Sequence, residues 1–170
     1  MKPLMPPDWH RFCAADGWHK LGDSTQARLE LEGLSPEART HPDVLQLLWR
    51  LTAEQGQWAE CRDLAISLTQ VAPQRRFGWL HLAYSLHQLG EVTAAYDTLS
   101  AVVDNFEPNA TIPFHLARYA CRLGRFKLAH GWLDRAYLAA AETGMADDLR
   151  QKVLGELDLE PLWGALPEVN

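Results

Sequence analysis

Residues 76–109 read "RFGWLHLAYSLHQLGEVTAAYDTLSAVVDNFEPN". Trp79, Leu82, Ala83 and Leu86 recur there at i, i+3, i+4 and i+7, which puts them on one face of a helix. Gly90 ends that helix, because a residue without a Cβ accepts the left-handed backbone of a C-terminal cap. Glu91 opens the next helix, where a carboxylate suits the positive end of the helix dipole. Ala95, Leu99 and Val102 form a second apolar stripe, and the small residue at 95 lets two helix backbones come close. "NFEPN", residues 105–109, then breaks the chain. One helix pair is predicted from this stretch.

The stretch is one beat of a register. Gly22, Gly56, Gly90 and Gly124 are spaced by 34 residues each time. Leucine precedes three of them (Leu21, Leu89 and Leu123), with Gln55 before the other. Five residues after each glycine stands Ala27, Cys61, Ala95 or Ala129, and four further on Leu31, Ala65, Leu99 or Leu133. A fixed period of this length predicts a stacked array of helix pairs. The predicted boundaries are an N-terminal extension 1–7, helix pairs over 8–41, 42–75, 76–109 and 110–142, and a closing segment 143–170. In that last segment Leu149, Val153 and Leu157 predict an amphipathic ninth helix in "MADDLRQKVLGELD", covering the apolar face of the final pair.

The repeat resembles the tetratricopeptide repeat, whose pattern W-x2-L-G-x2-Y, A-x3-F and P appears in degraded form. It is carried by Trp79-x2-Leu82-Ala83-x2-Leu86 with Ala95-x3-Leu99, and by Leu45-x2-Leu48-Trp49 with Cys61-x3-Ala65 and Pro73. Leu116-Ala117 with Ala129-x3-Leu133 gives the fourth copy, and Ala14-Ala15, Trp18 and Ala27-x3-Leu31 the first. "GLSPEARTHP" departs from the pattern after the second helix of the first copy. The resemblance implies an all-α, right-handed superhelical solenoid of antiparallel helix pairs with a terminal capping helix. The closing "LDLEPLW" resembles the tail that often ends bacterial repeat modules, which implies a bacterial source.

Composition narrows the function classes. A net charge of −6 and a pI near 5.6 disfavour a general nucleic-acid binder, which needs a basic surface to displace counterions. No apolar run reaches the roughly 20 residues that span a bilayer, and "MKPLMPPDWH" lacks a secretory apolar stretch. A cytoplasmic protein with no membrane partner is therefore expected. Cys13, Cys61 and Cys121 have no C-x-x-C spacing and read as small packing residues in a reduced compartment.

Stacking consumes the i, i+3, i+4, i+7 faces, so Trp18, Trp49 and Trp79 read as core. The opposite stripe of each first helix is left over. It holds Phe77, Leu80, Tyr84, His87 and Gln88 in the third pair, and Thr111, Phe114, Arg118, Cys121 and Arg122 in the fourth. The resemblance implies that such positions line a concave groove holding a peptide or a partner's helix. Phe77, Leu80, Tyr84 and Phe114 are more apolar than a solvated groove requires. Two readings stand: partner anchors, or residues covered by the superhelix or by a terminal segment. Residues 108–142 carry a balance of +3 and residues 143–170 one of −4. Arg118 and Arg122 share a face, and Arg50 holds the place of Arg118 two periods earlier. Arginine forks bind carboxylates bidentately, so an acidic or carboxylate-bearing peptide is the expected ligand. A solvated face partly neutralised by the acidic tail is the alternative. The candidate site is Arg50, Phe77, Leu80, Tyr84, His87, Phe114, Arg118 and Arg122.

Family members that hold the acidic C-terminus of heat-shock chaperones use a Lys-Asn-Asn-Lys-Arg clamp. The matching positions hold Phe12, Asp16, Leu47, Phe77 and His81, or one repeat along Gln46, Arg50, His81, Thr111 and His115; neither set makes it. His81 and His115 repeat 34 apart. They read as ordinary partly exposed histidines, because no third ligand accompanies them. No phosphate-loop, nucleophile-elbow or H-E-x-x-H motif is present, so no catalysis, cofactor or metal is expected. Two functions remain: an adaptor binding a segment of another protein, as a monomer or weak homodimer, or a chaperone or assembly factor similar to the secretion chaperones built from these repeats.

Overall fold

Five glycines adopt positive φ: Gly22 at 82°, Gly56 at 68°, Gly90 at 82°, Gly124 at 69° and Gly144 at 69°. Four are the beats of the period and the fifth lies beyond it. Each closes the same turn. The glycine N–H donates to the carbonyl three residues back, and the next N–H reaches the carbonyl five residues before itself, as in Glu91 N to Leu86 O at 2.9 Å and Arg125 N to Ala120 O at 2.8 Å. This double closure satisfies carbonyls that a helix end leaves open, and only glycine takes its backbone without strain.

The computed structural model describes residues 3–165, and every regular element among them is helical. In chain order these are α1 (Asp8–Lys20), α2 (Ser24–Glu32), α3 (Pro36–Arg39), α4 (Pro42–Ala53), α5 (Trp58–Val71), α6 (Arg76–Gln88), α7 (Val92–Ser100), α8 (Thr111–Arg122), α9 (Phe126–Glu142) and α10 (Ala146–Leu154). Short 3-10 stretches occupy Val103–Asn105 and Leu157–Ala165. The fold class is the all-α, tetratricopeptide-like one expected from the period.

The chain divides into two compact units, residues 1–85 and 86–170, with the boundary inside α6. In the first, Ala15, Ala27, Leu31, Leu34, Val44, Leu47 and Leu51 form one buried cluster, and Trp49, Cys61 and Ala65 another. In the second, Phe114, Ala117, Cys121, Leu133 and Tyr137 are buried with Leu149 and Val153 of α10 and with Leu159 and Leu162. The small residues of the register sit where helices cross: Ala27, Cys61, Ala95 and Ala129 are all 0% exposed. Local chemistry sets the helix starts. The Asp23 carboxylate accepts from Gln26 N at 2.9 Å to cap α2, and Ser35 Oγ accepts from Ala38 N at 3.2 Å to cap α3. α3 is the short helix built from "PEAR", where the first copy leaves the repeat pattern.

Several expectations need correction. Trp18 is 38% exposed rather than core, because among the described residues no earlier helix packs over α1. Trp79 is half-buried, its indole donating to Pro73 O at 2.9 Å. Cys13 is exposed, while Cys61 and Cys121 are buried as expected. α7 stops at Ser100, so Val102 packs from the turn before the Val103–Asn105 stretch. α10 ends at Leu154, with Gly155 as its cap, and Leu157 is exposed in the 3-10 stretch that follows.

Candidate partner-binding site

The eight candidate residues divide evenly between the units, and each unit builds its own surface. In the first unit, α4 supplies Arg50 and α6 supplies Phe77, Leu80 and Tyr84. Arg50 is exposed and the other three are half-buried. A chain of rings joins Phe77 to Tyr84 through His81 and Trp49. The His81 imidazole stacks on Trp49 with centroids 3.8 Å apart and planes within 5°. Phe77 lies 6.0 Å from His81, and Tyr84 meets Trp49 and Trp58 edge-on at 6.1 and 5.7 Å. Such stacked and edge-on pairs add to the burial of each ring. The Trp49 indole donates to Ser85 Oγ at 3.1 Å, and that hydroxyl donates to His81 O at 2.8 Å. Arg75 lies over the Phe77 ring and pairs with Asp43. Burial, with the Arg50 charge adding, pulls the His81 pKa down to about 4. The imidazole is therefore neutral at pH 7 and contributes a flat apolar face. Sequence reasoning placed Trp49 in the core and His81 among partly exposed histidines, and their stack was not foreseen.

In the second unit, α8 carries Phe114, Arg118 and Arg122, and His87 comes from the last turn of α6. Here the stripe is covered. Phe114 is 1% exposed and Arg118 only 7%. The cover is the chain's own C-terminal 3-10 stretch and the residues leading into it. Arg118 Nη2 donates to Asp158 Oδ2 at 3.1 Å, and Nη1 donates to His115 Nδ1 at 3.4 Å. Arg118 Nε lies 2.9 Å from Glu156 Oε2, a charge contact without hydrogen-bond alignment. The same Asp158 carboxylate reaches His87 Nε2 at 3.3 Å, likewise unaligned, and Arg122 Nε at 3.7 Å. Arg122 keeps 57% of its side chain exposed. Leu159 and Leu162 are 0% and 1% exposed in the cluster with Phe114, and the Trp163 indole donates to Val153 O at 3.0 Å. Lys152 sits over the Phe114 ring at 4.6 Å.

These charges tune their neighbours. Burial and then Arg118, Lys152 and His87 push the His115 pKa down to about 3. Burial and Arg118 also lower His87, against the pull of Asp158. Cys61 and Cys121 are each raised to about 11, mainly by burial, so both thiols stay protonated and inert at neutral pH. His81 and His115 fall in different units, and among the described residues no group of three metal-binding side chains occurs. No described helix is long and apolar enough to cross a membrane. Glu156 and Asp158 were not among the residues singled out from sequence. The signal that pointed to them was the reversal of charge balance at residue 143.

Glycine-closed helix pairs with a small residue at each crossing define a tetratricopeptide-like helical-repeat protein. Solved structures of MamA, a protein of this class, share the fold. MamA of strain MSR-1 is 15% identical with a TM-score of 0.65, over 76% of this chain and 74% of that one. MamA of strain AMB-1 is 18% identical with a TM-score of 0.57, over 90% and 98%. A single-site mutant of MamA is 19% identical with a TM-score of 0.56, over 90% and 97%. No protein-family model matches the chain, and no curated protein matches it by sequence.

Proposed function

We propose that this protein is a non-catalytic, cytoplasmic interaction module whose first-helix faces take up a segment of a partner protein, one bearing carboxylates. The tetratricopeptide-like fold supports a protein-interaction or scaffold role. One observation carries the finer reading: the α8 stripe in the second unit already holds a peptide segment, with carboxylates on Arg118 and leucines beside Phe114. This internal contact supports a similar mode of contact with a partner's segment. In the first unit the corresponding stripe leaves Arg50 exposed and Phe77, Leu80 and Tyr84 half-exposed, so that face supplies the partner contact.

The test is affinity capture from native cell extract with the full chain and with an Arg50→Glu, Phe77→Ala, Tyr84→Ala variant. Loss of a co-purifying protein at unchanged helicity is expected. Identical capture by both proteins would discard the face. The exposure of Trp9, Trp18, Leu21 and Leu29 on the first helix pair favours a second reading, a self-associating chaperone. A stable dimer in light scattering, lost on Trp18→Ser and Leu21→Ser replacement, would select it.

A further inference from the structure

We propose that the α8 face is a docking site for a partner segment carrying Glu-x-Asp followed by spaced leucines, and that residues 156–163 are its resident, displaceable occupant. This rests on the reading that first-helix faces bind protein segments, and it names the ligand chemistry at one of them.

The buried guanidinium sets the first requirement. Arg118 is held almost out of water, and the carboxylates that balance it, Glu156 and Asp158, both follow α10. A desolvated cation without opposite charge is costly, so any segment that replaces the resident must bring carboxylates of its own. Their spacing is set as well. Asp158 is the focus of Arg118, Arg122 and His87, and the second acid stands two residues before it. Leu159 and Leu162 set the apolar part, each filling a site in the cluster around Phe114. The pattern Glu-x-Asp-Leu-x-x-Leu describes what the face accepts.

The mode of attachment makes exchange feasible. The segment starts just after Gly155, where α10 has ended. Among the described residues no main-chain hydrogen bond joins it to α8 or α9; outside its own 3-10 turns its backbone donates from Glu156 N to Val153 O at 3.2 Å, at the end of α10, and from Leu159 N to Glu156 O at 2.9 Å, within the segment. Side chains alone hold it to α8, so its release leaves the ladders of α8 and α9 intact. Arg122 is more than half exposed while touching Asp158, and it offers an incoming carboxylate a first contact before the resident leaves.

The experiment uses the full chain and a labelled synthetic peptide with the sequence of residues 154–164. A Glu156→Lys, Asp158→Lys chain, its own segment repelled by Arg118, is expected to bind the peptide at least about tenfold more tightly than the unaltered chain does. Adding Arg122→Glu, or giving the peptide lysines at both acidic positions, should abolish that binding. A double variant that keeps its helicity and cooperative melting yet binds no peptide would overturn the proposal. Should the double variant fail to fold, hydrogen exchange on the unaltered chain decides. Amides of 157–163 are expected to exchange at least about tenfold faster than those of α8 and α9, through local opening, and faster still with excess peptide. Exchange of the segment only with global unfolding would overturn the idea. A dimer that the peptide dissolves would make the occupant a second copy's segment, and would equally overturn an external partner. None of these variants touches Arg50, Phe77 or Tyr84, so failure here is separable from failure of the capture test.

Discussion

Arg50 and Arg118 hold the same place in the register, two periods apart, and have opposite fates. Arg50 stands exposed at the end of α4, near enough to His81 to depress its pKa. Arg118 lies in α8 at 7% exposure between two carboxylates. A repeat determines which face a side chain takes. What lies on that face is decided by residues outside the period, here Glu156, Asp158 and the leucines that follow. Equivalent positions in a repeat protein are equivalent in direction and differ in environment.

The largest test of this contrast is to remove each arginine. Arg118→Ala leaves two carboxylates without their buried partner and is expected to cost about 3–5 kcal/mol in chemical denaturation. Arg50→Ala should change stability by no more than about 0.5 kcal/mol. Equal effects would mean that the segment contributes nothing to the second unit. A smaller contrast comes from the helix crossings. Ala95→Leu overpacks a fully buried contact and should cost about 1–3 kcal/mol, whereas Cys61→Ala at the matching position only trims a side chain and should cost about 1 kcal/mol. Thermal melts of both variants measure this, and an unchanged melting temperature for Ala95→Leu would break the register.

The smallest effect is in acid. His81 and His115 are neutral in the fold, with pKa values lowered from 6.5 to about 4 and about 3. Below pH 6.5 the unfolded chain binds protons that the folded chain refuses, so stability falls as pH drops, down to each folded value. From pH 6.5 to 5.5 the loss approaches about 1 kcal/mol per histidine. His81→Gln and His115→Gln should each flatten the melting temperature against pH over that window. Unaltered slopes would show that the rings titrate freely.

The period, the glycine turns and the small residues at the crossings were legible because they are local and repeated. A turn at Gly90 or a buried Ala95 follows from a few neighbouring residues. The helix-pair architecture follows from the recurrence of those signals. The candidate stripe was legible as a direction only. Phe77, Tyr84, Phe114 and Arg118 share the predicted stripe, and periodicity does not say which of them a neighbour will cover. The Trp49–His81 stack joins residues of successive repeats, off the 34-residue register, through ring geometry that leaves no trace in spacing. Coverage of α8 was visible only as a change of sign in the charge balance, which locates an attraction without giving its partners. Trp18 misled because the stacking pattern assumes a helix pair on either side.

The turn at Gly144 follows the one at Gly124 after 20 residues instead of 34, yet it is closed by the same bonds, Gly144 N to Ala141 O at 3.1 Å and Met145 N to Ala140 O at 2.8 Å. The joint is thus independent of the length of chain between joints. A gene that duplicates or drops the stretch from one such glycine to the next changes the number of helices and leaves every remaining hinge chemically complete. Growth by whole modules is open to this architecture, because its punctuation survives any edit made at the punctuation marks.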